Sequence, residues 1–236
     1  MVMASPQGYT HLRSYRYERK FLVETLSLHQ VQALVKLHPQ LFYQPYPPRY
    51  VNNLYLDTAD MENYYDNVGG SSRRRKVRVR WYGDLLGEMD RPLLEFKVKD
   101  GLVGTKHTYP LAKFCLDDGF GDRQLWQAAQ NSDLAENVWR ELRNLRMVLL
   151  NRYYRHYYVS RGGAFRLTLD SQQSFYKANG ALGNSFVHRQ VNARDVIVEL
   201  KYELEHEARA SRVVSFFPFR VTRNSKYVQG MERVYF

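Results

Sequence analysis

Lys76-Val77-Arg78-Val79-Arg80-Trp81-Tyr82 is the stretch whose reading decides the fold. Cationic and apolar residues alternate along it. Residues two apart on a strand share a face, so Lys76, Arg78 and Arg80 project to one side and Val77, Val79 and Trp81 to the other. The pattern recurs along the chain. Arg16, Glu18 and Lys20 share a face. So do Glu95, Lys97 and Lys99, opposite Leu94, Phe96 and Val98. Arg166, Thr168 and Asp170 stand opposite Phe165, Leu167 and Leu169, and Glu199, Lys201 and Glu203 opposite Val198, Leu200 and Tyr202.

Two architectures fit this pattern. In the first, each charged face looks onto water. In the second, the apolar faces pack outward against helices and the charged faces line a closed barrel, for which about eight strands suffice to enclose one small ligand. A plain solvated face would carry Thr, Ser and Gln as well, whereas these faces are mostly Arg, Lys and Glu. Unpaired buried charges cost several kcal/mol each. A basic lumen therefore calls for an anion to fill it and for interleaved carboxylates when empty. Glu18, Glu95, Asp170, Glu199 and Glu203 are candidates for that part, or for holding a divalent metal.

The remaining segments read as mainly antiparallel β with a few helices. Strands are expected over about 15–24, 50–56, 93–99, 106–111, 153–160, 165–169 and 196–203. Asp100-Gly101 and Gly162-Gly163 supply turns. A helix starts at Ser27 with Gln30 as its capping-box partner and ends at Pro39. Asp57 and Thr58 cap a short helix that Gly69-Gly70 stops. Ser132 to Arg146 reads as the best helix, with Ser132 as cap and Leu134, Val138, Leu142 and Leu145 on one face. The tail, 216–236, is mixed. Residues 1–13 read as a flexible leader and 14–236 as one domain.

The bulk numbers narrow the partners. Thirty-five Lys and Arg against 24 Asp and Glu give a net charge of +11 in 236 residues. That excess points to polyanions. One cysteine, Cys115, excludes an internal disulfide, and the scattered histidines make no zinc pattern. There is no signal-peptide run and no apolar stretch of about 20 residues, so a cytoplasmic location is expected. Arg73-Arg-Arg-Lys76 reads equally as a nucleic-acid patch and as a solvated loop entering a strand. The second reading is preferred because the alternation continues. Gly101 to Lys106 lacks the spacing and the helix of a phosphate loop. His156 is a candidate for the lumen, with a structural hydrogen bond the plainer reading. Tyr55 is a candidate for the lining.

Several of these motifs, in order, resemble the VTC domain, the catalytic part of the vacuolar transporter chaperone complex, a triphosphate tunnel metalloenzyme related to CYTH phosphatases. They are Arg16-Tyr-Glu18-Arg-Lys20-Phe, Tyr55-Leu-Asp57-Thr58, Arg78-Val-Arg80-Trp-Tyr-Gly83 and Glu95-Phe-Lys97. Asn151-Arg152-Tyr153, Arg166-Leu-Thr-Leu-Asp170, Val198-Glu199-Leu-Lys201 and Ser225-Lys226-Tyr-Val-Gln-Gly230 follow. The resemblance implies a β-barrel tunnel that extends inorganic polyphosphate from the terminal phosphate of ATP. By motif position it implies catalytic Arg78, Arg80, Arg152 and Lys97. It implies substrate binding by these and by Lys20, Lys106, Arg166, Lys201, Arg223 and Lys226, where Arg223 stands in place of a frequent Lys. Glu199, with Glu18 beside it, would hold Mn²⁺ or Mg²⁺. The implied partners are ATP and polyphosphate or pyrophosphate, with no nucleic acid. No stretch here matches the membrane-spanning or phosphate-sensing parts of the fungal complex, so vacuolar location is not implied and a membrane partner is left open.

One departure matters. Hydrolytic CYTH relatives open with Glu-x-Glu-x-Lys, whereas this chain has Arg16-x-Glu18-x-Lys20. The loss of a carboxylate favours the polymerase over the triphosphatase that uses the same tunnel with water as acceptor. A third reading is a polyanion-binding module without turnover.

Overall fold

A computed structural model describes residues 16–101, 103–178, 187–192 and 194–236; the leader expected over 1–13 lies outside them. The strands are β1 (Arg16–Val23), β2 (Arg49–Asp57), β3 (Arg73–Tyr82), β4 (Gly87–Met89), β5 (Leu93–Asp100) and β6 (Val103–Pro110). They continue with β7 (Phe114–Leu116), β8 (Arg146–Val159), β9 (Phe165–Lys177), β10 (Val187–Asn192) and β11 (Val196–Glu203). The helices are α1 (Leu28–Leu37), α2 (Glu62–Gly69), α3 (Asp122–Gln130), α4 (Glu136–Leu142), α5 (Glu207–Ser215) and α6 (Lys226–Tyr235).

One antiparallel sheet dominates, in the order β1-β11-β9-β8-β2-β3-β5-β6, with β10 paired to β9 and a separate β4–β7 pair. The path curls into a half barrel. An ion pair measures the curl: Lys97 of β5 reaches Glu18 of β1 at 3.6 Å, although the two strands lie near opposite ends of the path. The closed ring expected from the sequence is not seen, since no pairing joins β1 to β6 among the described residues. The segment before α6 lies along the free edge of β1 instead. Thr222 N donates to Lys20 O at 2.8 Å and Leu22 N to Thr222 Oγ1 at 3.0 Å.

The apolar faces pack outward, as the inside-out reading requires. Leu54, Val77, Val79, Trp81, Leu94 and Phe96 bury against α3 and α4 through Leu125, Val138 and Leu142. Phe21, Leu167, Val198, Leu200 and Tyr202 bury against α1 and α5 through Val31, Val35, Ala210 and Val213. A third cluster occupies the concave side. Tyr227 and Met231 of α6 pack on Tyr55, Leu149 and Phe175, so the helix fills one end of the trough.

The local signals fared unevenly. Ser27 and Gln30 form the capping box, and α1 ends before Pro39. Asp57 and Thr58 cap α2 from a distance. Thr58 Oγ1 accepts from Glu62 N, and the two Asp57 oxygens accept from Asn63 N and Tyr64 N. The helix expected over Ser132–Arg146 is corrected to α4 alone, with α3 unforeseen before it. Ser132 does not open a helix: its Oγ donates to Ala128 O and accepts from Ala112 N, both at 2.7 Å, which closes α3. Arg73–Lys76 belongs to β3 rather than to a loop, with Arg75 paired to Glu141.

Gly230 fixes how closely α6 approaches the sheet. A Cβ there would stand 2.5 Å from Leu149 Cδ2 and 2.6 Å from Phe175 Cδ1. In an exposed helix Gly→Ala stabilises by about 1 kcal/mol. Here overpacking, at about 1–3 kcal/mol, outweighs that gain. Gly230→Ala is expected to lower the thermal midpoint, and a raised midpoint in a melting experiment would show that α6 does not sit so close.

Candidate anion-binding lumen

The alternation on each strand delivers its charged face to the concave side, and the charges meet there in two linked groups. The first centres on Glu199 of β11. Lys20 Nζ lies 3.3 Å from its carboxylate, Lys201 Nζ 3.3 Å, Lys226 Nζ 3.5 Å and Arg155 Nη2 3.4 Å. Burial alone would raise this carboxyl, but Lys20, Lys226, Lys201 and Arg155 outweigh it and hold Glu199 well below the usual range. Asp170 joins the group. Arg155 binds it through two hydrogen bonds of 2.6 and 2.7 Å, and Lys226 reaches it at 2.5 Å.

The second group centres on Glu95 of β5. Arg78 meets its carboxylate at 2.7 Å, Lys106 at 2.8 Å and Arg80 at 3.7 Å. Burial opposes ionisation, yet Arg78, Arg80 and Lys106 bring Glu95 down to about 2. Asn53 accepts from Arg80 Nε at 2.9 Å, and Tyr55 lines the wall beneath Arg78. Lys76 stands between the groups and donates to Ser225 Oγ at 2.8 Å. Burial, followed by repulsion from Lys20, Lys97, Arg78 and Arg74, pushes Lys76 down to about 7.

The structure thus brings together Lys20, Arg78, Arg80, Lys97, Lys106, Lys201 and Lys226 with Glu18 and Glu199. Arg166 shares the face of Asp170 and pairs in register with Lys201 at the open end, where it is exposed. Arg223 is exposed in the segment leading into α6. Arg152 is not brought to the others. It alternates with Tyr153 and Arg155, so it lies on the outer face, its guanidinium 3.7 Å over the Tyr50 ring. The arginine that β8 contributes to the lumen is Arg155, which the sequence reading passed over. Both faces of Asn151 to Tyr158 are polar or aromatic, so the alternation there does not reveal which parity turns inward. His156 lies on the outer face with Arg152, against Tyr154, and is not in the lumen.

A family model for the VTC domain matches residues 15–235. The chain belongs to the VTC domain family. Solved structures repeat the fold at low identity. A candidate adenylate cyclase from Bacillus halodurans superposes with a TM-score of 0.51 at 16% identity, covering 94% of this chain and 98% of that one. One from Vibrio parahaemolyticus gives 0.52 at 13% identity, with 92% and 98% covered. A candidate adenylyl cyclase from Hippeastrum, described as having a dominant triphosphatase activity, gives 0.50 at 15% identity, with 91% and 94% covered. No curated protein matches the chain by sequence. No helix among the described residues of this VTC domain is long and apolar enough to cross a membrane.

The donor set of the VTC domain fits a divalent ion only with help from a ligand. Among the described residues no three His, Cys, Asp or Glu cluster in a metal-like group. Glu18 and Glu199, however, are bridged by Lys20 Nζ at 3.2 and 3.3 Å, on neighbouring strands. Two carboxylates suit Mg²⁺ or Mn²⁺ when substrate phosphate and water supply the remaining oxygens.

Two outcomes are expected. Glu199→Gln leaves Lys20, Lys201, Lys226 and Arg155 crowded together, at about 3–5 kcal/mol. The thermal midpoint should fall by about 6 °C or more and recover with tripolyphosphate. An unchanged midpoint would mean the four cations do not depend on Glu199. For Lys76, the folded value of about 7 lies below its ordinary 10.5. Its charge therefore penalises the fold fully below pH 7, and the penalty relaxes between pH 7 and 10.5. A polyanion raises that value again. Calorimetry of tripolyphosphate at pH 8 in two buffers should show proton uptake that Lys76→Met removes; uptake unchanged in the variant would place the titrating group elsewhere.

Proposed function

We propose that this VTC domain is a divalent-metal-dependent polyphosphate polymerase that moves the terminal phosphate of a nucleoside triphosphate such as ATP onto a growing inorganic polyphosphate chain. The observation that carries the reading is the imbalance within the trough. Lys20, Lys76, Arg78, Arg80, Lys97, Lys106, Arg155, Lys201 and Lys226 outnumber Glu18, Glu95, Asp170 and Glu199, an excess that suits a polyanionic substrate.

Phosphoryl transfer is governed by positioning and charge neutralisation. Arg78 and Arg80 present rigid forks suited to gripping phosphate oxygens with paired hydrogen bonds. Lys97 and Lys106, each about half exposed, are point charges on flexible stems that suit a chain that must shift by one unit per cycle. Buried Arg155 and Lys226 are anchored on Asp170 and hold the floor of the site in place. The nucleophile is an oxygen of the chain's terminal phosphate. It attacks the γ-phosphorus, the bond from that phosphorus to the β-bridging oxygen breaks, and the nucleoside diphosphate leaves. The attacking oxygen is already anionic, so no general base is required. Mn²⁺ or Mg²⁺, held by Glu199 and Glu18, would neutralise charge on the phosphates when bound.

Water as acceptor is the rival reading, favoured by the fold shared with the Hippeastrum protein described as a triphosphatase. Against it stands Arg16, which occupies the place of a first carboxylate in Glu-x-Glu-x-Lys. The test is purified protein with ATP and Mn²⁺, with products resolved on a polyphosphate gel and free phosphate assayed in parallel. A ladder of long chains without matching free phosphate is expected. Free phosphate without a ladder would move the protein to the triphosphatases, and neither product would leave a binding module. Arg80→Ala is expected to lower turnover by about 100-fold or more, by analogy with removal of one transition-state donor. Arg152→Ala, on the outer face, should stay within a few-fold of wild type. Equal losses would give Arg152 the part in the site that its motif position implies.

A further inference from the structure

Along β3 the concave face runs Lys76, Arg78, Arg80 and then Tyr82, where cations give way to an aromatic ring. Arg49, the first residue of β2, lays its guanidinium over that ring, Cζ 3.9 Å from the centroid. The same guanidinium reaches Tyr157 of β8, with Nε 3.3 Å from the hydroxyl and Cζ 5.4 Å from the ring centre. Tyr46 meets Tyr157 edge-on, with centroids 6.3 Å apart. By alternation Arg49, Tyr82 and Tyr157 stand on the same faces as Asn53, Arg80 and Arg155. Helix α6 fills the other end of the trough, so this cluster forms the open mouth.

The cluster is not buried. Tyr46 is 64% exposed and Tyr82 41%, and Arg49 is exposed as well. An inorganic phosphate chain has no use for aromatic rings, which offer it neither charge nor hydrogen-bond donors on their faces. A guanidinium plane backed by tyrosine rings is instead a surface on which nucleobases stack. The spacing is also right. Residues two apart on a strand are separated by about 7 Å, so Arg80 and Arg78 lie about 7 and 14 Å deeper on the same face as Tyr82. A base resting on Arg49 would point its phosphates inward, toward those two arginines.

We propose that Arg49, Tyr82, Tyr157 and Tyr46 form a nucleobase platform at the mouth, holding the base of the phosphate donor while its triphosphate enters the cationic trough. The proposal rests on the phosphoryl-transfer reading above, with its nucleoside triphosphate donor, and adds the place where the base of that donor is held. Stacking tolerates any base, so selection among bases is modest and follows stacking strength.

The test compares equilibrium binding of ATP and of inorganic tripolyphosphate, at one ionic strength and with metal chelated to prevent turnover. The proteins are wild type, Arg49→Lys, which keeps the charge and loses the plane, and Tyr82→Leu. Both variants should weaken ATP about tenfold, in line with one lost stacking contact, and leave tripolyphosphate within twofold of wild type. Equal loss for both ligands, or no loss of ATP in either variant, would overturn the platform while leaving the trough intact. Failure of wild type to bind tripolyphosphate would instead remove the phosphate reading on which the platform depends.

Discussion

Glu199 is held by four cations inside the curl of a sheet, and the rest of the structure depends on that arrangement being tolerable. Lys20 comes from β1, Lys201 from β11, Arg155 from β8 and Lys226 from α6. Four elements are thus tied to one carboxylate. Without it their charges would repel one another in a region that water only partly reaches. With it the group remains positive, and on that excess rests the proposal that the trough takes anions. Glu95 repeats the device on the opposite wall with Arg78, Arg80 and Lys106.

Packing explains how such a charged interior is compatible with a stable fold. The hydrophobic core is displaced to the outside of the sheet, where α3 and α4 cover one half and α1 and α5 the other. Helix α6 is the exception, since it enters the trough. It brings an apolar plug, Tyr227 and Met231, and a cation, Lys226, on adjoining turns. The Tyr227 hydroxyl donates to Asp57, which also caps α2, so the cap of one helix and the docking of another share a carboxylate. Ser225, the N-cap of α6, is the group to which Lys76 donates. Helix α6 is therefore part of the trough and not an appendage to the sheet.

Much of this was legible in the sequence because a strand exposes its register in its alternation. The charged faces of β3, β5, β9 and β11 were readable at once, and their number argued that they faced one another. Where both parities are polar the signal fails, as in β8, where Arg152 carries the motif but Arg155 reaches Asp170. A bulge between Arg152 and Tyr154 in the pairing with β9, with Gln172 at φ 51°, further shifts the register there. The split between α3 and α4 was hidden because Ser132 is as good a stop, through its bond to Ala128 O, as it is a start. Whether the ring closes was beyond reach, since alternation tells which face is charged and not how far a sheet curls. The mouth cluster of Arg49, Tyr82 and Tyr157 was likewise invisible, because its members come from three strands and only the fold makes them neighbours.

If the trough is an anion site held open by its own excess of positive charge, binding of a polyanion must stabilise the fold. The most direct measurement is the thermal midpoint of the wild-type protein in low salt, with and without tripolyphosphate. Ligand at about 100 times its dissociation constant contributes about 2.7 kcal/mol, or roughly 5–10 °C for a domain of this size. A rise of that order is expected, shrinking as salt is added. No shift at millimolar tripolyphosphate in low salt would contradict it.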